Sequence, residues 1–285
     1  MRVSEDTWVW FEFSGSPEAL ELLQAELDGS GPTGFEERTT PEGALLRGYW
    51  PASGIARAEV EAATAASGAR VVASGTQPRE DWLAEWKKAF KPLKVSRRLW
   101  VGPPWDPPRP GPGEKAIILD QKRAFGTGHH ATTRLCLEWI DDTVRDGASF
   151  LDVGCGSAIL AIAAVLLGAR EATAIDIDPD VIDEARENTR VHGLAERVHV
   201  ACGDFADLNV APADLVVANV LAAQLLPLLP RLAAATAGDI LLAGLERRER
   251  DEVRPAVARA GFDLVGERES EGWCALHCRP QPRSR

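Results

Sequence analysis

The pattern of apolar and polar positions in the first 80 residues predicts short strands and helices. An apolar, aromatic run is typical of a strand, and a Ser-Pro-Glu start then leads into leucines at helical spacing. Two further apolar runs flank Pro-Glu-Gly, as in a hairpin. The predicted order is strand, helix, strand, strand, helix, strand, at residues 8–13, 17–27, 33–40, 44–50, 54–67 and 70–73. This β-α-β-β-α-β order is that of a ferredoxin-like domain, a common partner-binding scaffold.

From residue 115 onward, strand-length apolar runs alternate with segments of helical period. The predicted strands are 116–120, 149–153, 171–175, 198–202, 213–218, 238–243, 262–268 and 273–279. The predicted helices are 131–145, 157–168, 180–192, 221–235 and 246–260. Such alternation builds an α/β fold with a doubly wound parallel sheet covered on both faces. The last two strands leave no room for a helix between them, so we expect an antiparallel hairpin there.

The segment between these two regions predicts a connector. Trp82, Trp86 and Phe90 recur every four residues, so they share one helical face, with lysines beside it. This pattern favours an amphipathic helix that docks its aromatics on a domain; the alternative is a nucleic-acid surface of aromatics and lysines. Six prolines within residues 103–113 indicate a stiff, extended loop. We therefore expect domains at 1–77 and 114–285, joined by a connector at 78–113.

Composition limits the class of protein. The 285 residues are 45% hydrophobic and 26% charged, which excludes a disordered or fibrous chain. No run of about 18 apolar residues predicts a membrane span, and the first residues do not resemble a signal peptide. The five cysteines are odd in number and scattered, as in reduced cytoplasmic proteins. We expect a cytoplasmic protein, and a monomer.

The net charge of −11 is unevenly distributed. Residues 1–77 carry a net charge of −7, whereas residues 78–113 carry +4. An acidic chain is a poor candidate for gripping the phosphates of nucleic acid. The acidic first domain instead favours a basic partner.

The strongest local motif is Asp152-Val-Gly154-Cys-Gly156, in which a buried strand runs into a glycine turn before a helix. Glycines let a ligand approach the backbone, and the free N–H groups of the helix start bind its polar end. Asp176 ends the next strand, 22 residues after Gly154, where a carboxylate accepts both hydroxyls of a ribose. The third glycine of a dinucleotide motif is replaced by Ile159, so the motif favours S-adenosylmethionine over NAD. Asp176 has an alternative role as a helix N-cap, although Asp178 before Pro179 suits that role better.

Two polar residues follow later strands. Asp204 is a candidate contact for the adenine amino group, or a loop acid that caps a turn. Asn219 ends the strand at 213–218 and is a candidate site residue, or a helix N-cap.

Gly, Thr and His residues are dense in residues 124–133, where the threonines suit capping and ligand contact. The adjacent pair His129 and His130 is a poor metal site, because neighbouring residues on one loop rarely converge on one ion. Cys274, His277 and Cys278 look like a metal fragment. In a strand, however, the two cysteines share the face opposite His277, which indicates packing. We predict no metal site.

These motifs resemble the PrmA family, the bacterial methyltransferases of large-subunit ribosomal protein eleven. The resemblance extends over essentially the whole chain, more loosely before residue 75. It is carried by EDWLAEWKKAFKPLKV and RLWVGPPW within 80–105, AFGTGHHATTRLCLEW at 124–139, LDVGCGSAILAIAA at 151–164, IDIDPD at 175–180, ANVL at 218–221 and EGWCAL at 271–276.

The resemblance implies a class I methyltransferase domain with a seven-stranded sheet behind a ferredoxin-like substrate-recognition domain. It implies methylation of lysine side-chain and N-terminal amines of a basic ribosomal protein, with S-adenosylmethionine as cofactor. It also places Thr133 at the cofactor and Asn219 near the transferred methyl group. The candidate cofactor-binding residues are therefore Thr133, Asp152, Gly154, Gly156, Asp176, Asp204 and Asn219, and Asn219 is the candidate catalytic residue.

The chain departs from the family pattern at three places. Asp120-Gln121-Lys122-Arg123 stands where the family has Asp-Pro-Gly, His129 replaces a threonine, and Ala158 replaces a glycine. The methyl group of Ala158 is expected to crowd the cofactor. The alternatives are thus a methyltransferase for another protein or small molecule, or a non-catalytic adaptor.

Overall fold

The computed structural model describes residues 7–28, 30–32, 34–40, 43–51, 55, 57–78, 91–119, 126 and 128–281. The chain divides into two compact units, residues 1–89 and 90–285. The predicted connector helix, with Trp82 and Trp86, lies outside the described residues, as do Gln121, Lys122 and Arg123. No helix in the described part of the chain is both long and apolar enough to cross a membrane.

The first unit has the order of elements predicted from its sequence. They are β1 (Thr7–Ser14), α1 (Pro17–Asp28), β2 (Gly34–Thr40), β3 (Gly43–Pro51), α2 (Arg57–Ser67) and β4 (Arg70–Pro78). The strands form an antiparallel sheet in the order β2-β3-β1-β4. Strand β4 is longer than predicted, because Ser74, Gly75 and Thr76 interrupt its apolar pattern and yet pair with β1.

The two faces of this sheet differ in character. One face packs Phe13, Leu46 and Trp50 into a core with the leucines of α1. On the other face, the Arg47 guanidinium lies 4.4 Å from the centre of the Trp10 ring and 2.6 Å from a carboxylate oxygen of Glu12. That face therefore combines aromatic rings with charged groups.

The second unit is built on a seven-stranded sheet in the order β10-β9-β8-β11-β12-β14-β13. Its strands are β8 (Ser149–Val153), β9 (Glu171–Asp176), β10 (Val198–Cys202), β11 (Ala213–Asn219), β12 (Thr236–Glu246), β13 (Phe262–Ser270) and β14 (Trp273–Pro280). Its helices are α3 (Ala131–Thr143), α4 (Ile159–Leu166), α5 (Pro179–Val191), α6 (Ala222–Ala235) and α7 (Arg250–Arg259), the last preceded by a short 3₁₀ helix (Arg247–Glu249). The five neighbouring strands from β10 to β12 in this order pair in parallel, and the predicted antiparallel hairpin of β13 and β14 is confirmed.

A separate small sheet precedes the main one. It contains β5 (Leu93–Lys94), β6 (Leu99–Gly102) and β7 (Lys115–Ile118), in that order. The strand predicted at 116–120 thus pairs with β6 rather than joining the parallel sheet, because the proline-rich loop returns the chain beside β6. Glu114 holds that loop: it accepts hydrogen bonds from Lys94, Trp100 and Gly111, and these contacts, Lys94 first, lower the pKa of Glu114 to about 2.

The small sheet is joined to α3 through the buried carboxylate of Asp141. That carboxylate accepts hydrogen bonds from the Ser96 hydroxyl at 2.8 Å and from the Arg98 backbone N–H at 2.9 Å and Nε at 2.5 Å. Burial opposes the charge, but the hydrogen bonds outweigh it, so the pKa of Asp141 lies below its usual value. The charged form of Asp141 is therefore stabilised by the fold.

We expect Asp141→Asn to lower the free energy of unfolding by about 2 kcal/mol at pH 7, because it removes charge-assisted hydrogen bonds from a buried site. Since the folded pKa is the lower one, this contribution is full above the unfolded pKa of about 3.9 and is lost as the pH falls further. Urea unfolding from pH 7 to pH 3 measures it, with Asp183→Asn, whose side chain is 93% exposed, as control. An equal loss for both variants would contradict the assignment.

Candidate functional site

A cleft of about 710 Å³ opens at the carboxyl ends of the parallel strands. This is the edge at which open α/β sheets bind ligands. The cleft is lined by His130, Thr132, Val153, Gly154, Gly156, Ile175, Asp176, Ile177, Asp178, Val181, Gly203, Asp204, Phe205, Asn219, Val220, Leu221, Gln224, Pro227, Leu228, Gly244 and Trp273. Five of the seven predicted site residues therefore meet here: Gly154, Gly156, Asp176, Asp204 and Asn219.

The glycine turn between β8 and α4 needs glycine on steric grounds. Gly154 and Gly156 have φ angles of +73° and +49°, in the left-handed region that disfavours other residues. A Cβ atom on Gly154 would lie 2.6 Å from Cγ1 of Val220, closer than non-bonded carbon atoms approach. The turn thus brings bare backbone to the surface of the cleft.

Asp176 supports this turn from the end of β9. One oxygen of its carboxylate accepts the Gly156 N–H at 2.8 Å, and the other accepts the Asp178 N–H at 3.1 Å. The N-cap of α5 is Asp178, whose side chain accepts the Asp180 N–H at 2.9 Å. The alternative role of Asp176 as an N-cap is therefore wrong, and its carboxylate lines the cleft.

Asp204 and Phe205 line the cleft after β10. A carboxylate oxygen of Asp204 accepts the Ala206 N–H at 2.8 Å, so this residue does cap a turn. The same carboxylate also faces the cleft. The Phe205 ring is buried, with the Arg231 guanidinium 5.4 Å from its centre.

Asn219, at the end of β11, carries a buried carbonyl oxygen that has no hydrogen-bond partner among the described residues. The N-cap position of α6 is held by Leu221, so the alternative role of Asn219 as a helix N-cap is wrong. An unpaired buried acceptor is costly in a folded protein. Because Asn219 lines the cleft, its oxygen is placed to accept a hydrogen bond from a ligand.

The charges in the cleft are separated. The lining carboxylates, Asp176, Asp178 and Asp204, all lie beside β9 and β10. The opposite half, beside β11, β12 and β14, is lined by Asn219, Leu221, Gln224, His130 and Trp273, and no carboxylate is among the described residues that line it. One half of the cleft is therefore acidic, and the other is amide and aromatic.

His130 and Trp273 form an aromatic wall of the second half. Their ring centres lie 5.0 Å apart at an angle of 66°. His130 is the N-cap of α3 and accepts the Thr132 N–H at 3.3 Å, which fixes the imidazole at the helix start. Sequence reasoning noted His130 only as a poor metal ligand, and it did not select Thr132 or Trp273.

Two predicted cofactor residues, Thr133 and Asp152, lie behind the cleft rather than on its surface. Thr133 is fully buried, and the residue that lines the cleft is the preceding Thr132. Asp152 accepts the Ala161 N–H at 3.2 Å from beneath α4, and burial raises the pKa of Asp152 to about 7. Thr133 Oγ1 and Asp152 Oδ1 are both buried without a partner among the described residues.

Ala158 does not crowd the cleft, contrary to expectation. The φ angle of Ala158 is +61°, in the left-handed region that favours glycine, which accounts for the glycine expected at this position. The methyl group of Ala158 is fully buried in the core with Ile159 and Ala161. The methyl group therefore faces away from the lining of the cleft.

The cysteine and histidine side chains of β14 pack in the interior of the second unit. Cys274 and Cys278 are buried in the core cluster of one sheet face. His277 lies 5.0 Å from the Trp139 ring centre, with Nε2 3.2 Å from the carboxylate of Asp239. Within the described residues, no group of three His, Cys, Asp or Glu side chains is placed to hold a metal ion.

Known proteins are similar to this chain in sequence and fold. The sequence profile described as "Ribosomal protein L11 methyltransferase (PrmA)" matches residues 37–281. The ribosomal protein L11 methyltransferase of Azotobacter vinelandii is 43% identical over 202 residues, which cover 69% of this chain and 67% of that protein. That of Symbiobacterium thermophilum is 42% identical over 199 residues, which cover 69% of this chain and 65% of that protein.

A solved structure agrees with the sequence comparisons. The ribosomal protein L11 methylase of Lactobacillus delbrueckii subsp. bulgaricus is 30% identical, with a TM-score of 0.63, and the match covers 67% of this chain and all of that one. The matched region spans about two thirds of the curated relatives. The chain therefore belongs to the ribosomal protein L11 methyltransferase (PrmA) family of S-adenosylmethionine-dependent enzymes and has their class I α/β methyltransferase fold.

Proposed function

We propose that the protein is an S-adenosylmethionine-dependent N-methyltransferase for lysine side-chain and N-terminal amines of ribosomal protein L11. The observation that carries this proposal is the buried carbonyl oxygen of Asn219, which has no hydrogen-bond partner among the described residues and lies in the half of the cleft where no described lining residue is a carboxylate. An amine is the acceptor that such a site suits, since it donates hydrogen bonds and still presents a lone pair.

The acidic half of the cleft fits the cofactor. Asp176 would receive the two ribose hydroxyls, and the bare backbone of Gly154 and Gly156 would lie against the methionine part. Asp204 would receive the adenine amino group. The oxygens of Thr133 and Asp152, buried without a partner among the described residues, would support the methionine end. When bound, S-adenosylmethionine supplies a methyl group on a positively charged sulfur for transfer to the acceptor nitrogen.

The amide half of the cleft suits a neutral amine. A lysine with a pKa of about 10.4 must lose a proton, which costs about 4 kcal/mol near pH 7.4. A carboxylate beside the amine would raise that cost by stabilising the ammonium form. Asn219 instead accepts one N–H and aims the lone pair without a charge. The rate of methyl transfer would therefore depend mainly on the positioning and desolvation of the amine.

The first unit supports the choice of a basic protein substrate. We propose that it is a ferredoxin-like substrate-recognition domain, since its sheet order and its net charge of −7 over residues 1–77 suit a lysine-rich partner. Its half-buried aromatic and acidic face already holds one cation, the Arg47 guanidinium beside Trp10 and Glu12. An aromatic ring beside a carboxylate also binds the lysine and arginine side chains of a partner protein.

The adaptor alternative loses its sequence argument. It rested on the expectation that the Ala158 methyl group crowds the cofactor, but that methyl group lies in the core.

The proposal is tested by incubating the protein with isotopically labelled S-adenosylmethionine and purified ribosomal protein L11. We expect label on lysine and N-terminal amines, located by mass spectrometry of L11 peptides. A second arm uses L11 whose amines have been blocked by acetylation, which should take up no label. Cofactor binding without labelled L11 would favour the alternative of another substrate, and labelling of the blocked protein would contradict transfer to amines.

A further inference from the structure

We propose that Asn188 and His192, which lie outside the cleft, are positioning residues for the cofactor. They tie the glycine turn, the end of β7 and Gly126 to the last turn of α5. This inference rests on the proposed cofactor, although not on the identity of the methylated substrate.

The first part of the network holds the glycine turn. Asn188 is buried, and its side-chain amide donates to the Ser157 carbonyl oxygen at 3.0 Å. Ser157 follows Gly156, which lines the cleft. The Ser157 hydroxyl donates in turn to the Gly126 carbonyl oxygen at 2.7 Å. The buried Asn188 amide of α5 thus fixes the glycine turn directly, and it fixes Gly126, which precedes α3 in the chain, through Ser157.

The second part holds the end of β7. His192 is the C-cap residue of α5, and its Nδ1 lies 2.7 Å from the Asn188 carbonyl oxygen. Its Nε2 accepts the Ile118 N–H at 2.9 Å. A carbonyl oxygen only accepts and a backbone N–H only donates, so both contacts require the neutral imidazole with its proton on Nδ1. Burial favours that form and lowers the pKa of His192.

Ile118 and Gly126, which flank residues 119–125, are therefore both connected to the last turn of α5. Ile118 is bonded to His192, and Gly126 is connected to Asn188 through Ser157. From Gly126 the chain continues to the cleft residues His130 and Thr132. A change at His192 should reach the cofactor through these backbone positions rather than by contact. The role is positional, because His192 is not among the residues that line the cleft.

Protonation of His192 should change how the affinity for the cofactor depends on pH. The imidazolium has no acceptor for the Ile118 N–H, so one contact of the network is lost. The neutral form holds the network above the usual pKa of about 6.5, and the contact is lost as the pH falls through the lowered folded value. The charged residues in the last two turns of α5 are Arg186, Glu187 and Arg190, the last two paired at 2.6 Å, and β7 carries Lys115.

The test is the affinity for S-adenosylhomocysteine, measured by calorimetry between pH 5.5 and 8. His192→Gln keeps a donor and an acceptor but does not titrate, whereas His192→Phe keeps the ring shape and loses both. The matched control is His199→Gln, which replaces an exposed histidine of the same unit. Burial raises the pKa of Asp152 to about 7, and this residue is the same in every variant, so the difference between profiles isolates His192.

We expect the affinity of the wild type and the control to fall between pH 7 and pH 5.5 by roughly two- to tenfold more than that of His192→Gln, as for one lost hydrogen bond. His192→Phe should bind more weakly at every pH. Identical profiles for the wild type and His192→Gln, or wild-type affinity in His192→Phe, would overturn the inference.

Ser157→Ala keeps the inference testable should His192→Phe fail to fold. It removes only the hydroxyl contact to Gly126, so we expect a loss of affinity of roughly two- to tenfold, with the melting temperature lowered by only a few degrees. Unchanged affinity in that variant overturns the inference as well. A wild type that binds no S-adenosylhomocysteine would instead reject the proposed cofactor itself, so the two failures are distinguishable.

Discussion

Replacement of Asn219 by alanine is expected to lower kcat for methyl transfer by about 10²- to 10³-fold, or about 3–4 kcal/mol. The Asn219 carbonyl oxygen has no partner among the described residues, so its removal leaves the fold intact and removes only a contact with the acceptor. Because the interaction belongs to the acceptor nitrogen, the dissociation constant of S-adenosylmethionine should change by less than about threefold. Single-turnover kinetics with labelled cofactor measures the first quantity, and calorimetry measures the second.

The control for this prediction is Gln224→Ala, which truncates an exposed amide in the same half of the cleft. In that variant kcat should fall by less than tenfold, because the Gln224 amide is solvated and can form its hydrogen bonds with water rather than with a ligand. Unchanged turnover in Asn219→Ala would remove this residue from the chemistry. A loss of cofactor affinity as large as the loss of turnover would reassign it to cofactor binding.

Asp176→Ala is expected to weaken the binding of S-adenosylmethionine by at least about 10²-fold, or about 3 kcal/mol. Two losses combine in this variant. The charge-assisted hydrogen bonds to the ribose hydroxyls disappear, and the Gly156 N–H loses the acceptor that holds the glycine turn. Calorimetry with S-adenosylmethionine measures the change.

A second variant separates these two losses. Asp176→Asn keeps an oxygen for the Gly156 N–H but loses the charge, so its affinity should lie between those of the wild type and Asp176→Ala. Asp180→Asn, in the exposed first turn of α5, is the matched control and should bind normally. Undiminished binding in Asp176→Ala would refute the ribose assignment.

The main sheet and the glycine turn could be predicted because their signals are local. Buried parallel strands read as apolar runs, and a left-handed turn such as that at Gly154 requires glycine. The partner of a strand is not a local property. Residues 115–118 read as one more strand of the series, and only the return of the proline-rich loop places them beside β6.

The same limit applies within the site. Asp176 and Asn219 could be selected because each ends a strand at the edge where parallel sheets bind ligands. Thr132 and Thr133 are adjacent in sequence, and no spacing tells which of them faces the cleft and which the interior. Trp273 belongs to an antiparallel strand more than 100 residues from His130, so their contact arises from tertiary packing alone.

The separation of charge in the cleft bears on how the product leaves. In the proposed reaction each transfer turns a neutral amine into a cation, and a trimethylated lysine keeps its charge at every pH. A carboxylate at that point would retain the product as an ion pair. The wall of His130, Trp273 and Asn219 offers ring faces and an amide instead, so a methylated ammonium would be held there by cation–π attraction of about 0.5–2 kcal/mol rather than by an ion pair.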